Sequence, residues 1–231
     1  MFLYDTHVHT SEISPCGQGA AAQQVRAAKK HGYTGLIITD HLVQNYGNCP
    51  DDLPWLERAH FQKTSYLAAK EEGNRIGIDV FFGWEYTHWH NIPGVDILTY
   101  GLDVDFLLAH PNLFTYNIQQ YSAAVREADG YLAQAHPFRT GINRAFDIAG
   151  FSPNLFDGAE IFNASEPESN NANALAYAQE FNLYKQAGSD SHHLGLTLSG
   201  GVWLEKRAES IHDIIAAIKN GAKIFERPEG R

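Results

Sequence analysis

The chain has 231 residues, of which 44% are hydrophobic, so it can bury a full core in one large α/β domain or two small ones. With 17 basic against 27 acidic residues, a net charge of -10 and no Lys or Arg cluster, the sequence disfavours nonspecific binding to nucleic acid or to an anionic membrane. The chain lacks a membrane-length apolar run, a signal-like start and a C-x-x-C pair (only Cys16 and Cys49 are present), so we expect a soluble protein of the reducing cytoplasm.

Strands and helices alternate along the predicted secondary structure. Apolar runs predict strands at 2–6, 34–39, 78–84, 95–101, 131–135, 157–162, 184–188 and 200–204. Apolar residues at three- and four-residue spacing predict helices at 19–31, 55–73, 117–128, 169–182 and 208–219. The repeated order of strand then helix predicts a parallel sheet or barrel, and the absence of a linker or repeat favours a single domain over 1–231.

Ionisable residues gather where the predicted strands end. They are His7 and His9, Asp40 and His41, Glu85, His136, and then Asp190, His192 and His193. In parallel barrels the carboxyl ends of the strands meet at one rim, where loops build active sites. These side chains are therefore expected to lie close together in space.

Imidazoles and carboxylates in this number suit metal ions. The mixed donor set fits zinc, manganese or iron, and it exceeds the need of one tetrahedral site. Two or three divalent ions close together would neutralise phosphate oxygens and activate a water, which predicts a hydrolase of phosphate esters. A single histidine at a strand end is more often a hydrogen-bonded structural residue, but packing alone does not explain the joint pattern.

Five motifs in this order resemble those of the PHP (polymerase and histidinol phosphatase) superfamily. They are "DTHVHT", "ITDH", "GWE", "AHPFR" and "GSDSHH", and they run from the first residues to about position 193. The resemblance implies a distorted (β/α)7 barrel, a cluster of three metal ions and phosphoesterase activity. The apolar run at 200–204 is then an edge or accessory strand, or an error in the strand count.

The resemblance also implies roles for individual ligands of the first two metals. His7 and His9 would bind the first metal together with Asp190. Glu85 would bridge two metals, and His136 would hold the second. Family members often carry a histidine in the strand after the bridging glutamate. This chain has "VDILTY" there, so Asp96 takes its place.

The third metal is where the chain departs from the family pattern. His41 and His192 look like two of its ligands, and the family usually adds a His or Asp shortly after the H-x-H motif. The corresponding stretch here is "TSEISPCG". Glu12 is the first choice for this ligand and Cys16 the second, because a thiolate favours softer metals and cysteine is more often a buried small hydrophobe.

Several residues near the motifs are candidates for substrate binding. In "YTHWHN", His88 and His90 form a second H-x-H, which we interpret as a loop lining the substrate cleft, the alternative being an ordinary packed loop. Arg139 resembles the phosphate-binding arginine of the family, although it could instead pair with a nearby carboxylate. Asn163 and His193 either contact substrate or cap local turns.

These observations predict a metal-dependent phosphoesterase that hydrolyses a small phosphorylated metabolite or a nucleotide with a metal-activated water. Asp40 or His193 would donate the proton to the leaving group. A noncatalytic PHP-like module and an amidohydrolase-type enzyme are the alternatives. The near-complete ligand set argues against the first, and the absence of a lysine at a strand end argues against the second. The substrate, the metal and the oligomeric state stay open.

Overall fold

A computed structural model describes residues 1–43, 48–50, 52–88, 95–139, 152–194 and 199–226. The strands are β1 (Phe2–Val8), β2 (Gly35–Ile38), β3 (Asp79–His88), β4 (Val95–Tyr100), β5 (Tyr131–Gln134), β6 (Gly158–Asn163), β7 (Tyr184–Gly188), β8 (Gly200–Leu204) and β9 (Lys223–Glu226). The α-helices are α1 (Ala21–Lys30), α2 (Trp55–Phe61), α3 (Thr64–Ile76), α4 (Val104–Ala109), α5 (Ile118–Glu127), α6 (Glu168–Glu180) and α7 (Ile211–Lys219).

The strands form one mixed sheet that curls into a nearly closed barrel. Their order is β7-β6-β5-β4-β3-β2-β1-β8-β9. The segment after β7 returns to the end of β1 through a parallel bridge between Val8 and Ser191. The backbone N–H of His9 donates to the Ser191 carbonyl at 3.1 Å across this junction. The predicted distorted barrel is confirmed, but the described residues contain nine strands instead of seven.

Strand β4 runs against the prediction of a parallel sheet. It pairs antiparallel with both β3 and β5, with Thr87 opposite Asp96. The connection from β3 to β4 is too short for the helical crossover that a parallel pair requires. As a result, the first residues of β4 lie at the same rim as the last residues of β3, and Asp96 reaches the rim from the start of its strand.

Three further details differ from the sequence prediction. The helix expected over 55–73 is two helices, α2 and α3, separated at Gln62 and Lys63. Helix α4 and strand β9 were not predicted. Strand β9 pairs antiparallel with β8, which itself pairs antiparallel with β1, so both belong to the accessory edge of the sheet.

The helices pack on the outside of the barrel through apolar faces. Helix α1 buries Val25 and Ala28 against β2 and β3, where Leu36 and Val80 are fully buried. Such burial contributes about 25 cal/mol per Å² of apolar surface and holds the strand ends in a fixed arrangement. None of the helices in the described ranges combines the length and apolarity needed to cross a bilayer.

Candidate metal centre

The end of β1 places two imidazoles side by side. Residues two apart in a strand project to the same side, and the Nε2 atoms of His7 and His9 lie 3.0 Å apart. Both side chains are fully buried. Gly188 of β7 packs directly against His7, since a Cβ at this glycine would come 2.4 Å from the Cβ of His7. The close contact of β1 with β7 therefore depends on a residue without a side chain.

Glu85, near the end of β3, lies among four imidazoles. Its Oε1 is 3.1 Å from Nε2 of His136 and 3.5 Å from Nε2 of His7. Its Oε2 is 3.3 Å from Nε2 of His9 and 3.2 Å from Nδ1 of His41. Each oxygen thus faces a different pair of nitrogens, which is the arrangement that a carboxylate bridging two cations requires.

Asp190 completes the centre from the segment after β7. Its Oδ1 lies 3.4 Å from Nε2 of His7 and 3.3 Å from Nε2 of His9. Asp190 and His136 both adopt a left-handed backbone, with φ of 53° and 26°. Such a conformation costs a non-glycine residue about 1–3 kcal/mol and is concentrated at functional sites. At His136 it is held by the backbone N–H, which donates to Glu160 Oε2 at 3.0 Å.

Among the described residues, four groups of ligand atoms lie close enough to hold a cation, with all atoms of a group within 4.8 Å of one another. The groups are His7, His9 and Glu85; His7, His136 and Asp190; Glu85, Asp96 and His136; and His9, Cys16, His41 and His192. A cation about 2.0–2.2 Å from its ligands separates neighbouring ligand atoms by about 3–3.5 Å. The distances around Glu85 and Asp190 match this spacing, so the donor set fits divalent metal ions.

A buried carboxylate determines which nitrogen of His7 faces the centre. Nδ1 of His7 lies 3.0 Å from Oε1 of Glu160, on β6, and both side chains are fully buried. A carboxylate only accepts hydrogen bonds, so the proton is on Nδ1 and Nε2 presents its lone pair to the centre. This is the outer hydrogen bond that metal-binding histidines usually make.

A hydroxyl relay does the same for His9. Nδ1 of His9 lies 3.1 Å from Oγ of Ser14, and this Oγ donates to Oδ1 of Asp40 at 2.6 Å. Because the hydroxyl has one proton and gives it to the carboxylate, it accepts from Nδ1–H of His9. The two Nε2 lone pairs and two carboxylates consequently converge on one place, which requires positive charge there.

Asp40 lies behind this relay and not at the centre. Its two oxygens also accept from the backbone N–H and hydroxyl of Thr10, at 2.6 and 2.7 Å, and from Oγ of Ser65 at 2.7 Å. Burial raises the pKa of Asp40, against the opposing effects of His9 and the hydroxyls. With 1% of the residue exposed and both oxygens engaged, Asp40 positions Ser14 and His9. The proton-donor role considered for Asp40 from the sequence does not fit this placement.

The pKa values of the histidines in the centre show the effect of the surrounding carboxylates and of burial. Burial disfavours the imidazolium of His7, but the charges of Asp190, Glu160 and Glu85 outweigh it and hold the pKa well above its usual value. Burial likewise opposes charging of His9, yet hydrogen bonds to Asp190 and Glu85 raise its pKa to about 9. Burial dominates at His41 and lowers its pKa to about 3. The raised pKa values of His7 and His9 show that the buried carboxylates favour positive charge at the centre.

Arg139 and Asn163 support Asp190 through its second oxygen, Oδ2. The guanidinium of Arg139 donates from Nε to Glu166 Oε1 and from Nη2 to Asp190 Oδ2. Nδ2 of Asn163 donates to Glu160 Oε2 at 2.8 Å and to Asp190 Oδ2 at 3.3 Å. In this structure both side chains orient carboxylates of the centre, which is the alternative that the sequence left open for Arg139.

Comparisons with known proteins agree with this geometry. A family model described as PHP-associated matches residues 168–222. A two-domain protein from Bacteroides vulgatus that contains a predicted PHP-like metal-dependent phosphoesterase is similar in structure, with a TM-score of 0.70 and 16% identity over 98% of this chain and 65% of that one. The chain shares the fold of this PHP-like protein.

Two other solved structures share this fold. An inferred metal-dependent phosphoesterase from Bifidobacterium adolescentis has a TM-score of 0.58 and 17% identity over 95% of this chain and 96% of that one. An amidohydrolase from Chromobacterium violaceum, with bound sulfate and no metal, has a TM-score of 0.64 and 16% identity over 98% of both chains. No curated protein sequence is significantly similar to the chain.

The turn after β1 decides between the two residues that the sequence offered as the third ligand beside His41 and His192. Sγ of Cys16 lies 3.1 Å from Nε2 of His192, within the group that includes His41. Glu12, the first choice from the sequence, is elsewhere: its carboxylate accepts the backbone N–H of Ala21 at 2.9 and 3.0 Å, at the first residue of α1. A carboxylate is favourable at a helix N-terminus, so Glu12 caps α1 and Cys16 stands where the ligand was expected.

The remaining candidate residues lie around the centre or outside the described residues. His88 is buried as the last residue of β3, with its ring 6.1 Å from that of Tyr86, so it belongs to the strand and not to the loop. His90 lies outside the described residues. His193 follows His192 and is exposed, and its carbonyl accepts a hydrogen bond from Ser191 Oγ at 3.2 Å.

Two positioning residues, Glu160 and Ser14, were missed in the sequence. Glu160 lies in the apolar run "GAEIF", and an acidic residue inside a buried strand is a signal that could have identified it. Ser14 has no such signal, because its role depends on the turn that brings it between His9 and Asp40.

Proposed function

We propose that the chain is a metal-dependent hydrolase of phosphate esters that acts on a small phosphorylated metabolite or a nucleotide. The observation that carries the proposal is that imidazole and carboxylate ligand atoms converge around Glu85. They come from β1, β3 and β4 and from the segments after β2, β5 and β7. Two to three divalent ions of zinc, manganese or iron suit these donors. The phosphoesterase descriptions of two structural neighbours support the same class of reaction.

Bound cations at these groups would polarise a phosphoryl oxygen and lower the pKa of a water. The side chains of the protein hold the ligands ready for them. Glu160 keeps the lone pair of His7 turned inward, and Ser14 does the same for His9. Because these hydrogen bonds are buried and already made, little reorganisation accompanies metal binding.

We propose that Arg139 binds the phosphate group. Its guanidinium is next to Asp190 and is anchored by Glu166, so its position relative to the centre is set before substrate arrives. A planar guanidinium can donate to two phosphate oxygens at once. It therefore orients the phosphorus relative to the ligand groups.

We propose His193 as the proton donor to the leaving group. It is exposed and follows His192 directly, so its imidazole can reach a substrate bound next to the ligand groups, and imidazole is the side chain that most often transfers protons in catalysis. Asp40 is too enclosed to reach a substrate oxygen. The imidazolium of His193 would protonate the departing alkoxide.

A substrate screen tests the proposed function. Protein loaded with Mn²⁺ or Zn²⁺ is assayed for phosphate release from a panel of sugar phosphates, amino-alcohol phosphates and nucleotides, with Glu85→Gln as the matched inactive control. We expect turnover of at least one phosphate ester by the unmodified protein and none by the variant.

The same screen should include C–N substrates, because one structural neighbour is described as an amidohydrolase. Cyclic amides and N-acyl amino acids form this second panel. Turnover confined to C–N bonds would replace the phosphoesterase proposal. Full metal loading with no turnover on either panel would favour a noncatalytic PHP-like module.

A further inference from the structure

One ligand group of the centre differs from the other three in chemistry. Three of the four groups contain Glu85 or Asp190, and their ligand atoms are only imidazole nitrogens and carboxylate oxygens. The remaining group adds the Sγ of Cys16, which lies 3.1 Å from Nε2 of His192. Sulfur is a much softer donor than oxygen, so this group has a different metal preference from its neighbours.

The turn that carries Cys16 is held in place by its backbone. The N–H of Ser14 donates to the Thr10 carbonyl at 3.0 Å, and the N–H of Gly17 donates to the Ser14 carbonyl at 2.9 Å. A Cβ at position 17 would come 2.5 Å from the oxygen of Thr10, so this packing requires glycine. The turn is therefore compact on both sides of the thiol.

A further hydrogen bond joins this turn to the segment that carries His192. The N–H of Gln18 donates to the carbonyl of His192 at 2.7 Å. Cys16 and His192 are far apart in sequence, and this bond fixes the two ligand-bearing segments against each other. The thiol and the imidazole are thus preorganised as a pair.

The second cysteine provides an internal contrast. Cys49 is buried in a small apolar cluster with Ile13 and Val43, where it packs as a hydrophobic residue. Cys16 is half-buried and faces three imidazoles. The two cysteines of the chain therefore have different environments and can be compared directly.

We propose that Cys16, His41 and His192 form a thiolate site that selects a soft or borderline cation such as Zn²⁺ or Fe²⁺ over Mn²⁺ and Mg²⁺. Nε2 of His9 also faces His7 and Glu85, so His9 is shared between this group and the neighbouring one. Three protein ligands leave an open position, as in catalytic zinc sites. The proposal rests on the metal centre of the proposed function and implies that the centre holds two kinds of metal ion.

Cobalt spectroscopy tests the thiolate site directly. The metal-free protein is titrated with Co²⁺, and the near-ultraviolet charge-transfer band of a sulfur–cobalt bond is recorded. We expect the band in the unmodified protein and in Cys49→Ala, and its loss in Cys16→Ser. Cys16→Ser should also bind one Zn²⁺ fewer per chain with unchanged Mn²⁺ binding, whereas Cys16→His should regain the zinc without the band.

A second measurement uses the unmodified chain and so does not depend on the folding of a variant. Alkylation of Cys16, read by peptide mass spectrometry, should be slowed at least about tenfold by stoichiometric Zn²⁺ and unaffected by Mn²⁺. A cobalt spectrum without the sulfur band, or alkylation that Zn²⁺ does not slow, would overturn the proposal. Failure of the hydrolase proposal has a different signature, since turnover would be absent while the cobalt band remained.

Discussion

Nδ1 of His7 lies 3.0 Å from Oε1 of Glu160, and both side chains are completely buried. This contact joins the first strand of the barrel to the sixth and leaves Nε2 of His7 as the metal-facing atom. The same carboxylate accepts the backbone N–H of His136 through Oε2. Glu160 therefore orients two ligand-bearing segments without belonging to a ligand group itself.

The first prediction follows from this contact. Glu160→Gln can turn its amide N–H₂ toward Nδ1 and favour the wrong tautomer of His7, so metal affinity should fall by about 10–100-fold. Isothermal titration with Zn²⁺ measures the change. Glu180→Gln, on the exposed end of α6, is the matched control. Equal affinities in both variants would show that the hydrogen bond does not orient His7.

Glu85→Gln tests the bridging position. Removing a charge shared by two cations should lower kcat by about 100-fold or more and reduce the bound metal, while the circular dichroism spectrum stays that of a folded protein. Metal analysis and steady-state kinetics check the two effects. Glu71→Gln, on the exposed face of α3, should change neither quantity. A Glu85→Gln variant with full metal content and full kcat would rule out the bridge.

The choice of proton donor can be tested with two leaving groups. His193→Asn should slow hydrolysis of alkyl phosphates by about 100-fold but that of p-nitrophenyl phosphate much less, because the phenolate leaves without a proton. Asp40→Asn should affect both substrates alike and weaken metal binding, because Asp40 acts through Ser14 and His9. Equal losses on both substrates in His193→Asn would exclude this histidine as the acid.

Arg139→Lys examines the proposed phosphate contact. A lysine cannot replace the planar guanidinium of Arg139, which Glu166 holds in position. The KM for the phosphate substrate should therefore rise by about tenfold or more, with a smaller change in kcat. Inhibition by inorganic phosphate should weaken in parallel. Arg126→Lys is the control, because Arg126 donates from Nε and Nη2 to Oδ1 of Asp157 on the surface, away from the centre. An unchanged phosphate inhibition constant would argue against the assignment.

A pH-dependent contribution to stability is expected where α1 meets α3. Hydrogen bonds from Arg75 and Arg26 lower the pKa of Glu72 from 4.5 to about 2. A carboxyl whose pKa is depressed in the folded state stabilises it above the unfolded pKa, and this contribution is lost as pH falls toward the folded value. Glu72→Gln should thus lower the urea midpoint at neutral pH.

The difference between Glu72→Gln and the unmodified protein should shrink as pH falls from about 4.5 toward about 2. Urea titrations across this window check the trend, with Glu71→Gln as the neighbouring control. Added salt should reduce the effect, because the two arginines are largely exposed. A difference that is constant with pH would show that the ion pairs contribute nothing.

Local pattern was sufficient for much of the molecule. The apolar runs predicted β1, β3, β6 and β7 to within a few residues. This works because the hydrophobic periodicity of a strand or helix depends only on residues that are close together in sequence. The same runs located the residues that come to lie around Glu85, since a strand end is a local feature. The PHP resemblance then supplied the barrel that brings those ends together.

Local sequence patterns did not predict the contacts between segments that are distant in sequence. The sequence does not show that β4 reverses direction, that Glu12 turns back to cap α1, or that Ser14 stands between His9 and Asp40. Each depends on the path of a turn and on hydrogen bonds between segments that periodicity does not relate. The residue types at the strand ends by themselves determined that this protein has a metal-binding rim. Only the tertiary structure decided that Cys16 faces the rim and that Asp40 lies behind it. The reason is that three-dimensional packing fixes which side chain a turn presents.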